Sequence, residues 1–185
     1  MLEKLTEIPK KKLKRLTAVS FAGFILIHLL MVFTRSLPVP QYNIIDFEFA
    51  RTAHQADTIM NTWGEAVVKQ EILVTYLDYG YLAAYGMAAF GLILLAARAV
   101  KDNERFKKMG LIVCLFPLIA ALCDAVENVN LLLMLYGFPA GASSFNAFTA
   151  YLFAFLKFGL LAVALGFFLV QLGYLLIKRI KKEIP

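Results

Sequence analysis

Apolar residues in this chain gather in four long stretches, at roughly 16–34, 71–97, 109–136 and 147–177. Each exceeds the run of about 18 to 20 apolar residues that crosses a bilayer as a helix. The pattern predicts an all-α integral membrane protein, a four-transmembrane-helix bundle. The spans use nearly all of residues 1–185, so a single domain is expected. The longest connection, 38–70, forms an outer cap. Pro38 and Pro40 break the chain as it leaves the first span. Ile44-Ile-Asp-Phe-Glu-Phe49 alternates apolar and acidic residues, the pattern of a short extended segment. Thr52 and Gln55 stand as in a capping box, and Ala53, Ala56, Ile59, Met60 and Trp63 recur at helical spacing. A short extracytoplasmic amphipathic helix is therefore predicted between spans one and two, ending near Gly64 with Trp63 at headgroup level.

Composition agrees with the pattern. A mean hydropathy of +0.71 with 17% charged residues does not fit a soluble domain of this length. The first span follows a basic stretch, as a signal peptide would, but no small-x-small cleavage site follows it, so the helix is expected to stay.

The net charge of +6 resides in the connections and is no nucleic-acid signal. Lys10, Lys11, Lys12, Lys14 and Arg15 precede the first span. Arg98, Lys101, Arg105, Lys107 and Lys108 lie between the second and third, and Lys178, Arg179, Lys181 and Lys182 follow the fourth. The remaining two connections carry only Arg35, Arg51 and Lys69. The positive-inside rule then places both termini and the middle connection in the cytoplasm of a plasma or inner membrane. Basic clusters beside a membrane also suit anionic lipid headgroups, although setting topology accounts for them. The layout resembles claudin-type and other four-span proteins, a topological likeness that carries no function.

Ionisable residues inside the spans are the candidate chemistry, because charge in hydrocarbon is costly and faces a partner, a cavity or a site. At about 1.5 Å per residue, His28, Asp78, Asp124, Glu127 and Lys157 rise about 20 to 30 Å from the cytoplasmic ends of four different helices. All five therefore meet in the outer half of the bilayer. At about 100° per residue, Asp124, Glu127 and Asn128 share a face bordered by Asn130. Glu71, Asp78, Tyr81 and Tyr85 form a stripe on the second span. Asn146, Lys157 and Gln171 align on the fourth, with Ala150 and Ala164 between them, and His28 aligns with Arg35 on the first. Turning these stripes inward makes one site in which three carboxylates face Lys157 and Arg35.

Interhelical hydrogen bonding would explain one such pair, at about 0.6 kcal/mol per contact. Three acids, a lysine, a histidine, asparagines and stacked tyrosines exceed what it requires. The leading reading is a site for binding or transferring a cation, a proton or a polar lipid headgroup. The rival is an accessory subunit of a larger complex. Gly159, Gly166 and Gly173 fall on one stripe nearly opposite Lys157, where another helix or a second copy of the chain can approach closely. A catalytic reading, with a carboxylate as base and Tyr81 or Tyr85 as donor, ranks third. No di-iron Glu-x-x-His pair, HExxH, CxxC, GxSxG or P-loop occurs. His28 with carboxylates lacks the second histidine most metal sites use. Cofactor, metal and catalytic residue stay unassigned. His54 and Glu48 are a further pair at the outer surface, where a solvated helix face explains His54. Cys114 and Cys123, nine positions apart on one helix, cannot bridge and read as small apolar fillers.

Overall fold

The computed structural model describes residues 2–37 and 41–183. Among these every regular element is an α-helix: α1 Leu2–Glu7, α2 Lys10–Thr34, α3 Ile44–Glu48, α4 Ala53–Ala99, α5 Glu104–Val113, α6 Phe116–Gly137 and α7 Ser144–Glu183. Four helical stretches are long and apolar enough to cross a membrane: Lys10–Thr34, Ala53–Ala99, Glu104–Gly137 and Ser144–Lys181. The chain is accordingly a membrane protein by length and composition. Pro38 and Pro40 lie outside the described residues.

Two local expectations need correction. The stretch from Ile44 is helical, not extended. Asn43 caps it, its side chain accepting from Ile45 N at 2.8 Å and Asp46 N at 3.3 Å, while Asp46 accepts from Asn43 N at 2.7 Å. That reciprocal capping box supplies the nucleus that an alternating pattern hides. The third span is not one helix. It breaks at Cys114–Leu115, because Pro117 offers no N–H and its ring would clash with the Val113 carbonyl in a continuous helix. Cys114 and Cys123, both buried free thiols, thus lie on either side of a break. Trp63, at the end of the first part of α4, is 5% exposed, its indole N–H donates to Tyr42 O at 2.8 Å, and its ring lies 5.2 Å from Phe47.

Thr52 caps α4 by accepting from Gln55 N at 3.2 Å, and the Gln55 side chain reaches one residue further back, to Arg51 N, at 2.9 Å. At Gly64 the backbone leaves helical geometry with φ 71°, a value glycine adopts without strain, and α4 then resumes to Ala99.

Small residues let the long helices approach. The α2–α4 crossing is so close that a Cβ at Gly91 would overlap the Thr17 side chain, and one at Gly80 would lie 3.1 Å from Ile27 Cδ1. Between α4 and α6, a Cβ at Gly86 would lie 3.1 Å from Ala121 Cβ. On α7 the fully or nearly fully buried face is Ala147, Ala150, Ala154 and Ala164, with Lys157 in their midst. Without a hydrophobic drive between apolar helices, this close packing is what holds them.

The apolar interior divides in two. Phe47, Met60, Trp63, Leu131, Met134, Leu135 and Ala150 form one core, at the end that α3 covers. Leu13, Phe90, Leu94, Leu111, Cys114 and Ala164 form another, at the end where Arg98 donates to Ile8 O and Lys178 pairs with Asp102. The residues between these two sets along α4, α6 and α7 include Asp78, Asp124, Glu127 and Lys157.

Candidate functional site

Lys157 is the centre of the polar layer. Its ammonium lies 2.8 Å from Glu127 Oε2, 2.9 Å from Asp124 Oδ1 and 3.4 Å from Glu48 Oε2. Two of these acids come from one face of α6 at i and i+3, and the third comes down from α3. Lys157 is 6% exposed, so its four-carbon stem offers no route to solvent and the charge is met inside. Phe158 adds its ring face 4.8 Å from the ammonium.

A second set of contacts extends the layer toward α4. Tyr85 donates to Asp124 Oδ2 at 2.9 Å, and Asn128 donates to Asp78 Oδ2 at 2.6 Å. Tyr81 and Tyr85 meet edge to face at 5.6 Å between ring centroids. Phe24 stacks on Tyr81 at 5.0 Å, and His28 lies 6.0 Å from the same ring.

These groups surround a cavity of about 440 Å³, within the range of small-molecule sites. Seven of the eight residues singled out from the sequence line it: His28, Asp78, Tyr81, Tyr85, Asp124, Asn128 and Lys157. Glu127 does not. It is 0% exposed, behind Lys157, with Oε2 at ion-pair distance but without hydrogen-bond geometry. His28 is exposed at the rim and, among the described residues, makes no hydrogen bond or ion pair to an acid. Asn130 turns back to its own helix, donating to Val126 O at 2.8 Å. Gln171 shares the Lys157 face but lies fourteen residues on, about 21 Å away, buried against Gly110.

Arg35 departs from expectation. It is committed to Glu71, with Nε and Nη2 each 3.0 Å from a carboxylate oxygen. A bidentate pair of this kind neutralises both partners and removes Arg35 from the acid count. What remains is four carboxylates, Glu48, Asp78, Asp124 and Glu127, around one ammonium. Asp78 forms no ion pair among the described residues.

Glu48 belongs to this layer and not to an outer pair with His54. It is 9% exposed, whereas His54 is exposed and lines a separate surface depression with Asp46 and Thr58. The signal was available: once Ile44–Glu48 is read as a helix, Ile44, Phe47 and Glu48 share its inner face and Asp46 points away. Burial pushes the Glu48 carboxyl above its ordinary 4.5, with Lys157 opposing that rise and Asp124 adding to it.

Among the described residues no three histidine, cysteine or acidic side chains are placed to hold a metal ion. The three acids nearest one another already turn to Lys157. Among the described residues, no atom from beyond their own turn of α7 lies within 4 Å of where a Cβ would stand on Gly159, Gly166 or Gly173, so they lie away from the Lys157 face. No family model matches the chain, and no curated protein or solved structure matches it either.

Proposed function

We propose that this protein is a four-helix membrane bundle, capped on the extracytoplasmic side by α3 and the start of α4, that binds a ligand through a positively charged group. Both termini and residues 99–108 face the cytoplasm, and the polar layer lies in the outer half of the bilayer. The supporting observation is Asp78. It faces a cavity, its second oxygen accepts no hydrogen bond from a described residue, and it lacks the cation that Glu48, Asp124 and Glu127 share. A carboxylate kept in a membrane interior without a counter-charge gains most from a cation that comes and goes. Lys157 then anchors the acids that shape the cavity, and Asp78 takes the ligand.

Native mass spectrometry of the gently extracted protein tests this. The wild type should carry a small bound mass that Asp78→Asn loses. A bound mass indifferent to Asp78→Asn would overturn the assignment.

The outward glycines of α7 support a second reading, an accessory subunit of a membrane complex, since no described residue fills the space beside them. Stoichiometric co-purification of another subunit, with no Asp78-dependent mass, would favour it.

A further inference from the structure

The walls of the cavity differ in a way that bears on what kind of molecule carries the cation. The acids and the tyrosines come from α3, α4 and α6, together with Lys157. Helices α2 and α7 close the cavity with Phe24, His28 and Met31 on one side and Phe158 and Leu161 on the other, and Arg35, just past the end of α2, also lines it while paired with Glu71. Helix α2 packs along α4, and α7 packs along α6 and α4, but α2 and α7 have no comparable packing with each other. The cavity therefore lies behind a gap between two helices whose remaining faces are among the most exposed in the protein, with Phe21, Ile25, Val163 and Leu165 all open. In a membrane those faces meet acyl chains. The gap leads sideways into lipid, with charge at its inner end and apolar and aromatic groups along its sides.

Building on the cation-binding reading, we propose that the ligand is an amphiphile bearing a primary ammonium, taken from the bilayer through the gap between α2 and α7. The ammonium sits on Asp78, and the alkyl chain leaves between Phe24 and Leu161. The charge balance selects a cation over an anion or a neutral alcohol, because three carboxylates already share one lysine, Asp78 pairs with no cation among the described residues, and Arg35 is spent on Glu71. A primary ammonium has three N–H donors, and the free oxygen of Asp78 is an acceptor without one. The aromatic wall of Phe24 and Tyr81 adds attraction for the same charge. A volume of about 440 Å³ holds the head and first methylenes only, so the rest of the chain must stay in the lipid.

The full-length protein in phosphatidylcholine nanodiscs, titrated with dodecylamine or butylamine and read by thermal shift, tests the idea. Asp78→Asn should weaken both amines at least tenfold. Leu161→Trp, which fills the gap, should weaken dodecylamine at least tenfold more than butylamine. If Asp78→Asn removes both responses while Leu161→Trp alters neither, or alters both equally, the lateral path is wrong and the cation site stands. If Asp78→Asn alters neither, both fail. Repeating the titration in phosphatidylethanolamine assigns the source. Competition with dodecylamine identifies a lipid headgroup, and its absence identifies a free alkylamine; either outcome requires the ammonium site.

Discussion

Lys157 holds Glu127 at 2.8 Å in a place where Glu127 has no exposed surface at all. Lys157 also meets Asp124 and Glu48, but Glu127 pairs with no second cation among the described residues. Removing one partner of such a pair typically costs about 3–5 kcal/mol, because the other is left buried and uncompensated. Lys157→Met should therefore lower the melting temperature sharply. Adding Glu127→Gln or Asp124→Asn should restore part of the loss, by about 1 kcal/mol or more. Strict additivity in that double-variant cycle would mean the acids do not share Lys157.

Glu48 gives the network a pH dependence with a definite sign. Its carboxyl is raised above 4.5 by burial, so the folded state favours the protonated form. The stabilisation tied to that proton is complete below pH 4.5 and is lost as pH rises through the folded value. Lys157, Asp124 and Glu127 are the charged groups that face Glu48 from α6 and α7, and Asp78 faces it from α4. Melting temperature measured from pH 4 upward should fall in the wild type, and Glu48→Gln should flatten the slope. A steeper slope in Glu48→Gln would show that the Lys157 contact, not burial, governs this residue.

The glycines separate inner from outer faces. Gly91→Leu places a side chain where Thr17 already sits, and overpacking of this kind costs about 1–3 kcal/mol. Gly166→Leu enters open space, so the isolated protein should melt within about 0.5 kcal/mol of the wild type. Should Gly166→Leu also release a co-purifying subunit, the accessory-subunit reading gains. Unfolding by Gly166→Leu would contradict the outward stripe.

Orientation is open to a labelling test. Asn103 caps α5 in the connection between α4 and α5, at an exposed position. After replacement of Cys114 and Cys123, Asn103→Cys in intact cells should resist an impermeant thiol reagent and react once the membrane is opened. Reaction from outside would invert the topology.

How much of this was legible in sequence follows from what each signal depends on. Long apolar runs report burial in lipid directly, so four membrane-length helices emerge from hydropathy alone. Asp78, Asp124, Asn128 and Lys157 came together because height and angle on a helix follow from residue number. Arg35 was misjudged because height does not say which of several acids an arginine meets. Glu71, one residue type among several on the same stripe, took it. Glu48 was misplaced because Ile44–Phe49 alternates like a strand, and only the Asn43–Asp46 caps make it a helix. The break before Pro117 could have been read from the proline, whose effect was overridden by the continuous hydropathy around it. The gap between α2 and α7 could not be read at all, since it depends on which helices are neighbours.

The most direct measurement is the distance from the Asp78 carboxylate to a bound ammonium. Solid-state NMR on protein with ¹³C-labelled aspartate and ¹⁵N-labelled dodecylammonium reports it as a dipolar coupling, with Asp78→Asn identifying the signal. The account predicts a coupling that corresponds to less than ~4 Å, the range of an ion pair, and that disappears in Asp78→Asn. Saturating dodecylammonium that gives no Asp78-dependent coupling would contradict it.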